Sequence, residues 1–238
     1  MCAGRARYGI LTRVRALDPP RTSRRLFWAI VGTCIGLFAV GAMFSLILRL
    51  PAQAMMTDAR LVRMLMLEAL LAAAWIPVLR RRGWSLGCIS VAPEVLDLAR
   101  GVGVLVVSYL AYWFAFTLVL LVFPTLPDFL RSLQVGGAPS WWVVAMVSLL
   151  NPVAEEFLYL GFITNLVRSD GLQVALLAGI LARTAVHVYQ GPVGLVSAIA
   201  MGLVFGIYYL RSDRIWPVVV AHSLSDFIAL GRLAGSAA

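Results

Sequence analysis

The sequence predicts an all-α fold: a polytopic integral membrane helical bundle of about seven transmembrane helices, with a core of four helices in its C-terminal half. Three observations lead there. Of 238 residues, 61% are hydrophobic and only 13% charged, more apolar surface than a soluble domain of this size can hide. Several apolar runs are each about 18 to 25 residues long, enough to cross a hydrocarbon core of about 30 Å. The basic residues gather at the ends of those runs. Every span should be helical, because lipid offers no partner to an unpaired backbone group.

The formal net charge of +9 comes from twenty arginines and no lysine. Nucleic-acid binding would call for a basic face with aromatic platforms on a soluble module, and no such module is present, so no nucleic-acid partner is expected. The arginines read instead as a topology signal and as an attraction to anionic headgroups of the lipid bilayer. Cys2, Cys34 and Cys88 are isolated from one another and lack a CxxC pattern, so neither a zinc knuckle nor a disulfide framework is suggested. Cys2 lies too near the start for a cleavable signal peptide to precede it, and the first apolar run should remain in the mature protein.

Taken in order, residues 1–26 form a basic segment with Arg5, Arg7, Arg13, Arg15, Arg21, Arg24 and Arg25, broken by Pro19 and Pro20. Span one covers 27–48, with Gly32, Gly36 and Gly41 open to a close helix neighbour. Span two, 61–79, carries Glu68, an intramembrane acid and so a functional candidate by default. Residues 83–100 read as a cytoplasmic loop with a short interfacial helix, and span three, 101–123, as purely apolar and aromatic. Pro124, Pro127 and the stretch 136–140 then form an external loop.

Spans four to seven, 141–167, 172–189, 193–210 and 215–230, are joined by links so short that successive helices should be antiparallel and adjacent. With the N-terminus inside, the cytoplasmic segments hold fourteen of the twenty arginines, which favours an N-in, C-out, multi-pass arrangement, expected in a prokaryotic cell membrane.

Polar groups inside this apolar frame are few. Glu155 and Glu156 stand side by side in NPVAEEFLYLG, 151–161. A charge at the centre of a membrane helix costs about 2.5 to 3.5 kcal/mol on insertion scales, so a neighbouring pair implies a polar cavity. The two histidines of the chain each lie in a span, four residues from a charged group: Arg183 with His187, and His222 with Asp226. At that spacing both members of a pair share a helix face. Measured from the cytoplasmic ends at about 1.5 Å per residue, Glu155, His187, His222 and Asp226 lie roughly 18, 22, 10 and 16 Å deep, compatible with one chamber. Asn151 followed by Pro152 is good cap and first-turn chemistry, so the helix is expected to break there and to restart with both glutamates near a favourable N-terminal dipole.

These residues resemble the CPBP group of intramembrane proteases, also called Abi or type II CAAX proteases, which share EExxxR, FxxxH and HxxxN/D motifs on successive helices. Glu155 and Glu156 fit the first motif, His187 with the following VYQG the second, and His222 to Asp226 the third. The likeness covers about residues 140–230, implying a protease core at 140–232 preceded by accessory transmembrane helices and loops at 27–139. Two positions depart from the pattern. Leu160 stands where the first motif has arginine, and Arg183 stands where the second has phenylalanine. A charge lost on one helix reappears on its neighbour, and Arg183 is expected to orient the Glu155/Glu156 pair in its place.

The resemblance implies an intramembrane endopeptidase acting on a membrane-embedded or lipidated peptide. In it, Glu155 with His187 would polarise a water, His222 held by Asp226 would bind the oxyanion, and Glu156 would position the first pair. Two histidines and a glutamate also suit zinc, but HExxH is absent and the ligands would have to converge from three helices, so no cofactor and no metal ligand is assigned, with zinc the alternative. No serine in a GxS context is expected to face a histidine and no GxGD-like aspartate pair is present, which argues against the serine and aspartyl intramembrane mechanisms. The rival functions are an inactive membrane scaffold or immunity protein of the same fold and, third, a proton-coupled transporter, the last weakened by small size and the lack of an internal repeat.

Overall fold

The computed structural model describes residues 24–48, 56–90, 92–124 and 139–235. Most of the basic N-terminal segment and of the external loop lies outside them. The described residues are helical, with no strand among them. Helices α1 (Arg24–Cys34) and α2 (Gly36–Ile47) run nearly end to end; α3 is Asp58–Arg81 and α4 is Leu96–Val122. Helix α5, Trp141–Glu156, continues without a gap into a π-helix, Phe157–Thr164. Helices α6 (Leu172–His187), α7 (Gly191–Ser212) and α8 (Trp216–Gly235) complete the chain.

Among the described residues, six helical runs are long and apolar enough to cross a membrane by length and composition. One of them, Leu172–Ser212, contains both α6 and α7. It doubles back: a 3-10 turn at Val188–Gln190 leads to Gly191 at φ +69°, and α6 and α7 then pack side by side along their lengths. Gly191 permits the reversal because a residue without Cβ tolerates positive φ at little cost. The single run therefore supplies two of the seven expected passages.

Helix α8 packs against α4 and α5, and α7 against α4 and α6, whereas α7 and α8 barely touch. The sequence reading put these two consecutive helices side by side. Instead α4 slides between them, and the residues that allow it are identifiable. At Gly101 an added Cβ would fall 2.5 Å from Val220 Cγ1 and 2.9 Å from the Pro217 carbonyl oxygen, so only hydrogen fits where α4 crosses α8. At the end of α4 that follows the 83–95 loop, Arg214 donates to both carboxylate oxygens of Asp97 at 2.8 Å, and the Ile215 amide donates to Ser90 Oγ at 3.0 Å. A planar guanidinium suits such a two-point grip on a carboxylate. The core around this crossing includes Val104, Leu105, Leu160, Phe205, Tyr209, Ile215 and Val218.

Pro152 does not break the helix. It sits inside α5, and the irregularity comes five residues later as the π-helix. Both glutamates therefore lie at the end of an α-helical segment rather than in a first turn, and the expected help from an N-terminal dipole is lost. Their charge must be met by side chains.

Candidate active site

Those side chains come from α6 and α8. Glu156 is fully buried, and its Oε1 accepts hydrogen bonds from the Arg183 guanidinium and from His222 Nδ1, the latter at 2.6 Å. Arg183, 3% exposed, lies with its guanidinium carbon 4.9 Å from the Tyr159 ring centroid and 5.3 Å from that of Phe205. Two aromatic faces thus hold the cation while its donors point at the carboxylate. Tyr159 follows Glu155 by four residues and Glu156 by three, so the helical repeat returns it to their side; that spacing was the available signal for it.

Glu155 is held far more loosely. Its Oε2 lies 3.8 Å from Arg183 Nη1 and 4.0 Å from His222 Nε2, beyond hydrogen-bond reach, and this buried oxygen has no hydrogen-bond partner. One turn further along the same face, Asn151 donates to Asp226 Oδ2 at 3.4 Å, and Asp226 Oδ1 lies 3.5 Å from His222 Nε2. Both ring nitrogens of His222 are turned to carboxylate oxygens, an arrangement that suits an imidazolium donating on each side.

The structure thus gathers Glu155, Glu156, Arg183, His222 and Asp226 into one cluster. His187 stands apart from it: Nδ1 meets the Arg183 carbonyl oxygen at 2.7 Å, and among the described residues no hydrogen bond or ion pair joins it to Glu155. Its ring instead stacks near that of Tyr189, with centroids 6.5 Å apart, and Tyr189 is close enough to Glu155 and Asp226 to feel their charges. Leu160, where the motif has arginine, is 3% exposed and packs in the apolar core. The guanidinium of Arg183 reaches the glutamates from the neighbouring helix.

Among the described residues no group of three His, Cys, Asp or Glu is gathered as a metal ion would require. The donor set does not suit a divalent cation, because a guanidinium already occupies the carboxylate at its centre.

The fold and cluster define a polytopic helical membrane protein with a buried carboxylate, guanidinium and imidazole centre. Within it, residues 137–228 match the family model described as type II CAAX prenyl endopeptidase Rce1-like. The match spans α5 to α8 and contains every member of the cluster, so this part of the chain is similar to Rce1-like domains of the CAAX protease type. No curated protein and no solved structure matches the chain.

Proposed function

We propose that the protein is an intramembrane endopeptidase that hydrolyses a peptide bond of a membrane-embedded or lipidated substrate. The observation that carries this reading is the contrast between two adjacent carboxylates. Glu156 is locked through its Oε1 by Arg183 and His222, whereas the Glu155 carboxylate beside it makes no side-chain hydrogen bond among the described residues, although Glu156 Oε2 is likewise buried without one. A structural ion pair needs only the first. A carboxylate oxygen that accepts no side-chain hydrogen bond and lies next to Arg183 and His222 is where a water can be oriented and relieved of a proton.

In this mechanism the water oxygen attacks the scissile carbonyl carbon as its proton passes to Glu155. Charge develops on the carbonyl oxygen and is met by the His222 Nε2–H, which gives up its long 3.5 Å approach to Asp226 Oδ1 while Glu156 keeps hold of Nδ1. Collapse of the tetrahedral intermediate breaks the C–N bond, and the proton carried by Glu155 goes to the leaving amine, with His187 completing the relay after a rotation of its ring. Arg183 is a positioning residue in this scheme: it fixes Glu156, and Glu156 fixes His222. No step needs a metal ion.

A hollow of about 220 Å³ opens between α4, α7 and α8, lined by Tyr109, Tyr112, Ser197, Met201 and Ser225 among others. No member of the cluster lines this hollow.

The test compares peptide termini by mass spectrometry in membranes from cells with the wild-type protein or Glu155→Ala at matched abundance. New termini that vanish in the variant are expected. Termini indistinguishable between the two, with any phenotype retained, would replace the enzyme by a scaffold.

A further inference from the structure

Helix α3 lies outside the matched domain, yet it runs parallel to α5 in a readable register. The Ser140 amide donates to Asp58 Oδ1 at 2.7 Å, Leu61, Met64 and Leu65 pack with Val143, Val144 and Val147, and Leu71, Trp75 and Leu79 pack against a second apolar cluster, which holds Ile30 and Cys34 as well as Tyr159 and Phe162. Between these two apolar contacts the same face of α3 presents Glu68, which the register sets beside Asn151. Glu68 is near enough to Glu155, Asp226 and His222 for their charges to act on it.

The cluster therefore has four carboxylates, Glu68, Glu155, Glu156 and Asp226, against Arg183 and His222. Glu156 takes the close bonds of both cations. What is left is an outer wall of acceptors: Glu68, Glu155, Asp226 and Asn151. Asn151 is only 7% exposed, its amide is turned toward Asp226, and its Oδ1 is buried with no hydrogen-bond partner, as is Glu155 Oε2. Buried acceptors without a donor, on a wall where carboxylates outnumber cationic side chains, call for a ligand rich in N–H groups and positively charged.

We infer that Glu68, Asp226 and Asn151 form a subsite for a basic side chain, lysine or arginine, of the peptide bound at the site. The inference rests on the peptidase reading but can be judged separately from it. An ammonium or guanidinium supplies the missing donors and neutralises the outer carboxylates. A bound water supplies donors too, but no charge, and so gives no preference for a basic peptide.

The probes are two palmitoylated hexapeptides identical except for lysine or norleucine at the third residue, with affinity for the full-length protein in detergent measured by fluorescence. The lysine peptide is expected to bind at least tenfold more tightly to the wild type, and the ratio to fall below threefold in Glu68→Gln. Asp226→Asn serves as a second variant should the first fail to accumulate, with the same fall expected. Equal affinity of the two peptides, no binding of either, or a ratio unchanged in the variants would overturn the subsite. Cleavage is read on the same wild-type samples. A lysine preference without any cleavage supports the subsite and counts against the peptidase, whereas cleavage without preference does the reverse.

Discussion

At the scale of single residues, the most consequential side chain is Arg183. Among the described residues it is the sole basic side chain bonded to Glu156 apart from His222, and burial makes the loss of one partner expensive, because the remaining charge is left uncompensated at a cost of about 3 to 5 kcal/mol. Arg183→Leu is therefore expected to lower the thermal unfolding temperature in detergent and to abolish activity. Arg183→Lys keeps the charge but cannot lie flat between Tyr159 and Phe205 or present a planar fork, so it should accumulate better than the leucine variant while remaining poorly active. A leucine variant with wild-type stability and cleavage would remove Arg183 from the scheme. Its place beside the glutamates was legible from the exchange of arginine and leucine between two neighbouring helices. The orientation of His187 was not, because the shared face of positions 183 and 187 says nothing about which backbone carbonyl a ring nitrogen will find.

At the scale of elements, the sequence showed helix lengths and the short links but misplaced two things. Pro152 signalled an interruption, yet a proline inside a helix removes one backbone donor and the helix continued past it, with the wider turn displaced to Phe157–Thr164. The place of α4 was hidden for another reason: a glycine that permits close approach looks the same in sequence as one that does not. Gly101 and Gly103 illustrate this, since an added Cβ at Gly103 meets nothing within 4 Å. Gly101→Ala is expected to destabilise by about 1 to 3 kcal/mol, through forced separation of α4 from α8. Gly103→Ala should be neutral or stabilising by up to about 1 kcal/mol, because alanine favours the helix. Unfolding midpoints of the two variants decide the matter, and a similar response from both would contradict the crossing geometry.

At the scale of the whole molecule, the residues that match the family model do not make a closed unit. Helices α7 and α8 barely touch, so the space between them is filled by α4, which is clamped there by the Arg214 grip on Asp97. Helix α3 packs on α5 through Leu61 and Leu65, in the register that points Glu68 toward the cluster. A chain shortened to residues 139–238 retains Glu155, Glu156, Arg183, His187, His222 and Asp226 but leaves the apolar face of α8 without α4. In lipid that face alone could be tolerated, since tails solvate leucine and valine well. The buried carboxylates are another matter, because opening the bundle exposes them to hydrocarbon. The shortened chain is therefore expected to be degraded or inactive when expressed alone, and to be restored by co-expression of residues 24–124, which supply α1 to α4 as a separate piece. Protein abundance in membranes and appearance of the Glu155-dependent termini are the two readouts. Rescue that fails when the second piece carries Asp97→Ala, yet survives Gly103→Ala, would tie the effect to the clamp rather than to added hydrophobic mass; a shortened chain that is stable and active unaided would show that the accessory helices have no part in building the site.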